Sequence, residues 1–472
     1  MRGLLLLALL ALGPWPAQAQ QPKALNSLEF PGRTLTFRVL AESIPVRDGN
    51  GRIDAEAGIV TFSREGQGAA KARPVTFVIG GGPGTASAYL NLGALGPWRI
   101  PFAASGARTL ARNSDTWLDF TDLVFVDPPG TGIGRLLSND SKAKERVWSV
   151  DGDINLITDA IAAWLRKHDR VVSPKSLVAQ SYGGLRAPRI AESLHRRHGL
   201  SFRTLILVSP ILDYGWRYHA RTSPLSYAAL LPSFAAARME QEGTFDPVKL
   251  AAIEDYARGA FMEDYLRGMR DEAALARLTA RVTEITGLKP EVVNAARGRI
   301  DEKLFAREFA RDNGKLTSFY DPAISGADPD PAVPRPEFAD PFLAAMKPPL
   351  TEAMTQLLKG TGHRQAYNVG NETVFENWRW DSDHGLPESV MALRRVLALN
   401  PDLRVIVAHG WSDLATPYFE SKLILDQFPD FGADRVRLLK YPGGHMFYSR
   451  DESRAVFRRD VQPLYVDTTG RP

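Results

Sequence analysis

Apolar residues fall into three successive patterns along the chain. Two β-rich runs, Leu35 to Leu40 and Gly58 to Phe62, flank the turn-forming Asp48-Gly49-Asn50-Gly51, which predicts an opening β-hairpin. Four short, nearly all-apolar runs follow: Val75 to Ile79, Leu123 to Val126, Leu177 to Ala179 and Leu205 to Val208. Runs of that length suit strands buried on both faces of a parallel sheet. Between them Ile154, Leu156, Ile157, Ile161 and Leu165 recur at helical spacing, so the pattern is α/β, a mostly parallel central sheet flanked by helices. From Asp213 to about Pro387 the strand signal stops. Segments rich in Ala, Arg, Glu and Leu (Pro247 to Arg258, Glu272 to Thr286, Arg299 to Arg311) predict a helical insertion, interrupted by a Pro- and Asp-rich surface loop from Asp321 to Pro341. Strand-like runs resume at Arg404 to Ala408 and Val436 to Leu439, with a helix near Tyr418 to Phe428 between them.

Composition narrows the field. In 472 residues, 58 Lys and Arg stand against 54 Asp and Glu, and a formal charge of +4 supplies no electrostatic footprint for nucleic acid. There is no cysteine, which excludes disulfides, thiolate metal sites and a cysteine nucleophile. Arg2, the apolar run Leu4 to Leu12 and Ala17-Gln18-Ala19 read as a secretory signal peptide over residues 1–19, cleaved before Gln20. Its apolar run is too short to span a bilayer, so the expectation is a secreted or periplasmic protein without stable membrane insertion. Residues 20–213 and 388–472 are then two parts of one core, and residues 214–387 the insertion.

The chemistry concentrates at strand ends. Leu177 to Gly184 is an apolar strand running into Ala179-Gln180-Ser181-Tyr182-Gly183, the small-x-Ser-x-Gly pattern of a nucleophile elbow. The turn raises the Ser181 hydroxyl above the sheet, and small residues two positions away on each side avoid collision. A serine needs a base. Of eight histidines His445 stands out, in the Gly-rich loop Tyr441-Pro442-Gly443-Gly444-His445 after the last strand; His168, His195, His198 and His219 sit in charged or insertion-proximal stretches, and His363 and His384 belong to the insertion or its exit. The base needs a carboxylate to fix its tautomer. Asp413 follows the Arg404 to Ala408 strand, with His409 as a structural neighbour, and is favoured over Asp213, which follows the Leu205 to Val208 strand. Gly80-Gly81-Gly82-Pro83-Gly84 has the backbone freedom to supply an oxyanion donor, the Tyr182 amide being the other. No Gly-Lys-Ser/Thr or Gly-x-Gly-x-x-Gly pattern supports phosphate binding there.

Five ordered blocks resemble the serine carboxypeptidases, specifically their bacterial secreted relatives: Gly81 to Gly84, Phe125 to Gly132, Gln180 to Gly184, Gly410 to Pro417 and Gly443 to Met446. The resemblance implies an α/β-hydrolase fold, a Ser181, Asp413 and His445 triad, an oxyanion hole from the Gly82 and Tyr182 amides, and an insertion that acts as a lid shaping the pocket. It implies substrate contacts at Gly81 and Gln180, a peptide substrate and no cofactor or metal. Two positions depart from the family: the Asn before Gly-Gly-Pro-Gly is Gly80, and the Glu before the nucleophile is Gln180. Since a Gln amide donates to a carboxylate without needing acid, weaker carboxylate selection and an optimum nearer neutral are expected. Arg186 and Arg189 are candidates for a compensating cation, with helix-surface or structural salt-bridge roles the favoured reading; Trp378 and Trp380 could form apolar pocket walls, with packing within the lid the favoured reading.

The expected activity is therefore removal of C-terminal residues from peptides through an acyl-enzyme intermediate. The same chemistry serves an esterase or an aminopeptidase resembling proline iminopeptidases, in which Glu372 and Glu376 would meet the substrate amine. A non-catalytic binding protein on the same scaffold is the third possibility. Oligomeric state and preferred side chain are left open by the sequence.

Overall fold

The computed structural model describes residues 24–47, 51–66, 70–101, 109–218, 223–332, 340–380, 386–432 and 435–465. The expected signal peptide and cleavage site, His219, His384 and most of the expected Asp48 to Gly51 turn lie outside these residues.

The main sheet contains β1 (Ala24–Phe30), β2 (Arg33–Arg47), β3 (Ile53–Arg64), β4 (Val75–Ile79), β5 (Asp122–Asp127), β6 (Lys175–Gln180), β7 (Thr204–Val208), β8 (Arg404–Gly410) and β9 (Val436–Tyr441). Their spatial order is β1-β2-β3-β5-β4-β6-β7-β8-β9, and the short strand Arg135–Leu136 pairs with β3. The first three strands and the β3–β5 pair are antiparallel. Every pair from β5 through β9 is parallel. The all-apolar runs thus lie where the sheet is covered on both faces: β4, β5, β6 and β7 are buried along their whole length. In the antiparallel arm, β2 alternates between buried and partly exposed positions over much of its length. β1 has no counterpart in the sequence reading, because its Asn26, Ser27 and Glu29 break up any apolar run.

Two apolar clusters sandwich the sheet. One face packs against α1 (Val150–Lys167) and α2 (Gly183–His198) through Ile157, Ile161, Leu165, Leu185 and Ile190. The Ser149 side chain caps α1, and His195 to His198 set basic residues in the last turn of α2.

The region between β7 and β8 divides in two. Helices from α3 (Pro224–Glu242) through Glu302–Glu308 share an apolar core of their own, which takes in Leu414, Tyr418 and Phe419 from the sheet side. The later α4 (Pro341–Lys359) instead buries Phe342, Met346, Leu350 and Met354 in the cluster on the sheet's other face. Strand structure is not wholly missing from this region: Lys315–Thr317 and Ser325–Ala327 pair as a small antiparallel hairpin. Three-residue strands carry too little pattern to register in the sequence. Asp321, in the turn between these strands, is buried rather than exposed on a surface loop.

Candidate active site

Parallel strands deliver the candidate site residues to one edge of the sheet. Residue pairing puts Ile79, the end of β4, beside Ala179 of β6, and Val208, the end of β7, beside both Gln180 and Ala408. Each strand ends within a few residues of a group with candidate chemistry, which makes the carboxyl edge a convergence point.

Ser181 directly follows β6 with φ of 57°, in the left-handed region that a non-glycine residue enters only under constraint. Its N–H donates to the Val208 carbonyl at 2.9 Å, and its own carbonyl accepts from the Gly184 and Ile211 amides at 2.8 and 3.0 Å. The turn also needs a bare backbone behind it: a Cβ on Gly184 would stand 2.2 Å from Pro210 Cβ. The glycine loop crosses close above, where a Cβ on Gly81 would meet Ser181 Cβ at 2.8 Å.

His445 and Asp413 come from the loops after β9 and β8. Asp413 Oδ2 lies 3.0 Å from His445 Nδ1. Thr416 completes this cluster: its N–H donates to Asp413 Oδ1 at 2.9 Å, and its hydroxyl lies 2.6 Å from Asp413 Oδ2, 3.0 Å from His445 Nδ1 and 2.9 Å from the Ser209 carbonyl. Burial opposes ionisation of Asp413, but the His445 charge and the hydrogen bonds from His445 and Thr416 outweigh it, holding the carboxyl below its ordinary range. Ser181 and His445 line one cavity of about 310 Å³. Neither the Ser181 hydroxyl nor His445 Nε2 has a hydrogen-bond partner among the described residues; contacts of this kind are often long before substrate is bound.

Gly81, Gly82 and Gln180 line the same cavity. The Gly82 and Tyr182 amides have no acceptor among the described residues. Arg186 explains the direction of the first. Its guanidinium, fully buried, grips Asp153 of α1 at 2.6 and 3.1 Å and donates to the Gly80 and Gly81 carbonyls at 3.0 Å each. In a trans peptide the C=O and N–H point in opposite directions, so drawing the Gly81 carbonyl toward Arg186 turns the Gly82 N–H away from it. Gln180 Oε1 accepts from the Tyr448 hydroxyl at 2.7 Å, which leaves its NH₂ as the donor on the cavity side.

The structure gives the remaining candidates other partners or places. Arg186 is no free cation for a substrate, and Arg189 is spent on the Glu388 carbonyl and Asp151. Trp378 and Trp380 pack edge-on against the Tyr182 ring, beneath the elbow, instead of walling the cavity. Glu372 lies at the cavity and Glu376 does not. Asp213 accepts from the Gly215 amide and has no bond to His445. His409 is fully buried with Nε2 2.9 Å from Ser421 Oγ, and burial pushes its imidazole down to about 4. A larger groove of about 800 Å³ near Arg146 and Asp151 shares no lining residue with the Ser181 cavity; its Arg146–Asp54 and Arg197–Asp159 pairs bind each other.

The Thr416 role is not legible in the sequence, although the residue lies within Gly410 to Pro417, because a hydroxyl acquires a function only through its neighbours. A second contribution missed there comes from the insertion. The His445 N–H donates to the Tyr320 carbonyl at 2.6 Å, and the Gly444 N–H to Asp321 Oδ2 at 3.3 Å. Arg450 bridges Asp321 and Glu240 of α3, each at 3.1 Å.

The sequence model of serine carboxypeptidases matches residues 61–294, a span that holds the glycine loop and the elbow. Over that span the chain matches the serine carboxypeptidase family. Similar curated family members include the pheromone-processing carboxypeptidase of Tuber melanosporum (strain Mel28), 31% identical over 139 residues, 29% of this chain and 21% of that one. Serine carboxypeptidase-like 44 of Arabidopsis thaliana is 30% identical over 151 residues, 30% of this chain and 29% of that one. The chain therefore matches less than a third of the length of either. Among solved structures, a prohormone-processing carboxypeptidase from Saccharomyces cerevisiae shares the fold with a TM-score of 0.58 at 14% identity, covering 92% of this chain and 93% of that one. The mostly parallel sheet and its flanking helices give this chain the α/β-hydrolase fold. Among the described residues no helix is long and apolar enough to cross a membrane.

Proposed function

We propose that this protein is an exported serine carboxypeptidase with Ser181 as nucleophile, His445 as general base and Asp413 as its orienting acid. The observation that carries the reading is the Asp413–His445 contact of 3.0 Å beside a cavity that also holds Ser181 on its strained turn. In acylation, Ser181 Oγ bonds to the scissile carbonyl carbon while its proton passes to His445 Nε2. The negative charge moves to the carbonyl oxygen, where the Gly82 and Tyr182 amides donate. Collapse breaks the C–N bond, and His445 returns its proton to the leaving amine. Water then repeats the sequence on the acyl-enzyme, releasing the shortened peptide and restoring Ser181. The insertion roofs the cavity as a lid, and the neutral Gln180 amide places the optimum nearer neutral than a carboxyl would.

The test combines a fluorophosphonate probe with mass spectrometry of a digested peptide library. The expected results are a label on Ser181, shortening from the carboxyl end, and a fall of about 10³-fold or more in turnover for Ser181→Ala and His445→Ala. Shortening from the amino end would favour the aminopeptidase, and absence of labelling the binding protein. An amine site needs an acidic cluster, and of the two acids considered only Glu372 reaches the cavity.

A further inference from the structure

A peptide's carboxyl terminus is an anion, and a cavity that selects it over an internal peptide bond needs a donor of matching charge. Neither candidate for the cation supplies it, since Arg186 and Arg189 are bound elsewhere. The cavity nevertheless contains a lysine. Lys347 on α4 lines it, as does the Gln180 amide, and among the lining residues no other Lys or Arg occurs. Lys347 stands next to the strand-like segment that runs along the glycine loop. Gly370 bridges to Thr85, the Asn371 N–H donates to the Gly84 carbonyl at 2.8 Å, and Lys347 Nζ stands 4.0 Å from where a Cβ on Gly370 would be. The ammonium therefore sits beside the loop that carries the Gly82 amide.

It is also undersupplied with acceptors. The nearest carboxylate, Glu372 Oε1, is 3.9 Å away, beyond hydrogen-bond length, and 88% of that side chain is exposed to solvent. Among the described residues Lys347 Nζ makes no hydrogen bond. Apolar lining of the same cavity comes from Tyr89, Leu343, Val369, Phe375 and Met446. The Lys347 side chain is 46% exposed, and an ammonium with open donors bordering a partly apolar cavity suits a ligand that joins a carboxylate to an apolar side chain.

We infer that Lys347 is the specificity-determining counter-ion for the substrate's free carboxylate, and that the cavity takes peptides or acylated amino acids ending in an apolar residue. This rests on the carboxypeptidase reading for the word substrate, but the binding claim is tested without turnover. Calorimetric titration of the full chain with N-acetylphenylalanine and with its C-terminal amide compares the two charge states of one side chain. The expected result is tighter binding of the acid in the wild type, by about 10- to 100-fold. Lys347→Met should bring the acid-to-amide ratio to within about threefold of one, and Lys347→Arg should restore most of it. Circular dichroism of each variant separates misfolding from loss of the ammonium. An acid preference that survives in a folded Lys347→Met overturns the inference, as does a wild type that binds both ligands alike. Failure of the carboxypeptidase reading shows differently: peptides remain uncut at the carboxyl end while the acid preference and its dependence on Lys347 persist.

Discussion

The two walls of the cavity are built on different principles. The sheet wall presents Ser181 and the glycine loop from strands buried on both faces, and their backbone is tied into neighbouring strands and to the fully buried Arg186. The wall from the insertion presents Lys347, Phe375 and Glu372 from helices, as partly or fully exposed side chains with few polar ties. On the proposed function, reaction geometry that must hold to a fraction of an ångström sits on the first wall, and the groups that would choose among substrates sit on the second. The contrast teaches that fixing and choosing are separable here, so a perturbation on one side should leave a distinct signature from one on the other.

The strongest way to break that contrast is to attack the anchor. Arg186→Met leaves Asp153 buried without its partner and frees the Gly80 and Gly81 carbonyls, so urea denaturation should show a loss of about 3–5 kcal/mol. Lysine at this position should not rescue, because one ammonium does not span the carboxylate and both carbonyls.

A second perturbation uses pH. His409 is buried neutral with its imidazole pushed down to about 4, whereas the unfolded chain takes up a proton near the ordinary value of about 6.5. Between those values the unfolded state binds more protons, so stability falls as pH drops through this window, by on the order of 3 kcal/mol. Thermal melts of His409→Gln, which lacks the titrating group, should lose that share of the slope.

A smaller effect sharpens the comparison at the catalytic edge. Thr416→Val removes the hydroxyl that touches both Asp413 and His445, and kcat should fall about 10- to 30-fold with KM nearly unchanged. The rise in activity with pH should move, and Thr416→Ser should recover most of the loss. A change confined to KM would place Thr416 on the substrate side instead. Smallest of all, Asp321→Asn weakens a tie between the insertion and the His445 loop, and steady-state kinetics should show a loss of about three- to tenfold in kcat/KM.

Legibility in the sequence follows the same division. Ser181, Asp413 and His445 could each be singled out because an apolar run ends just before them, and such runs mark strands buried on both faces. The Arg186 anchor could not: its partners Asp153 and Gly80 lie 33 and 106 positions away along the chain, and only packing brings them together. Lys347 was equally silent, being one polar position in an amphipathic helix whose apolar face, Phe342, Met346 and Leu350, explains the local pattern completely. The β1 strand was missed for the opposite reason: it pairs at a sheet edge, where half-solvated positions blur the periodicity.

The hydrogen bonds from His445 and Gly444 to Tyr320 and Asp321 carry a consequence for engineering. Grafting another roof onto this scaffold to alter its diet would cut the moorings of the imidazole along with the old selectivity. A chimaera that keeps the short turn at residues 318–324 is the one with a chance of remaining a working hydrolase.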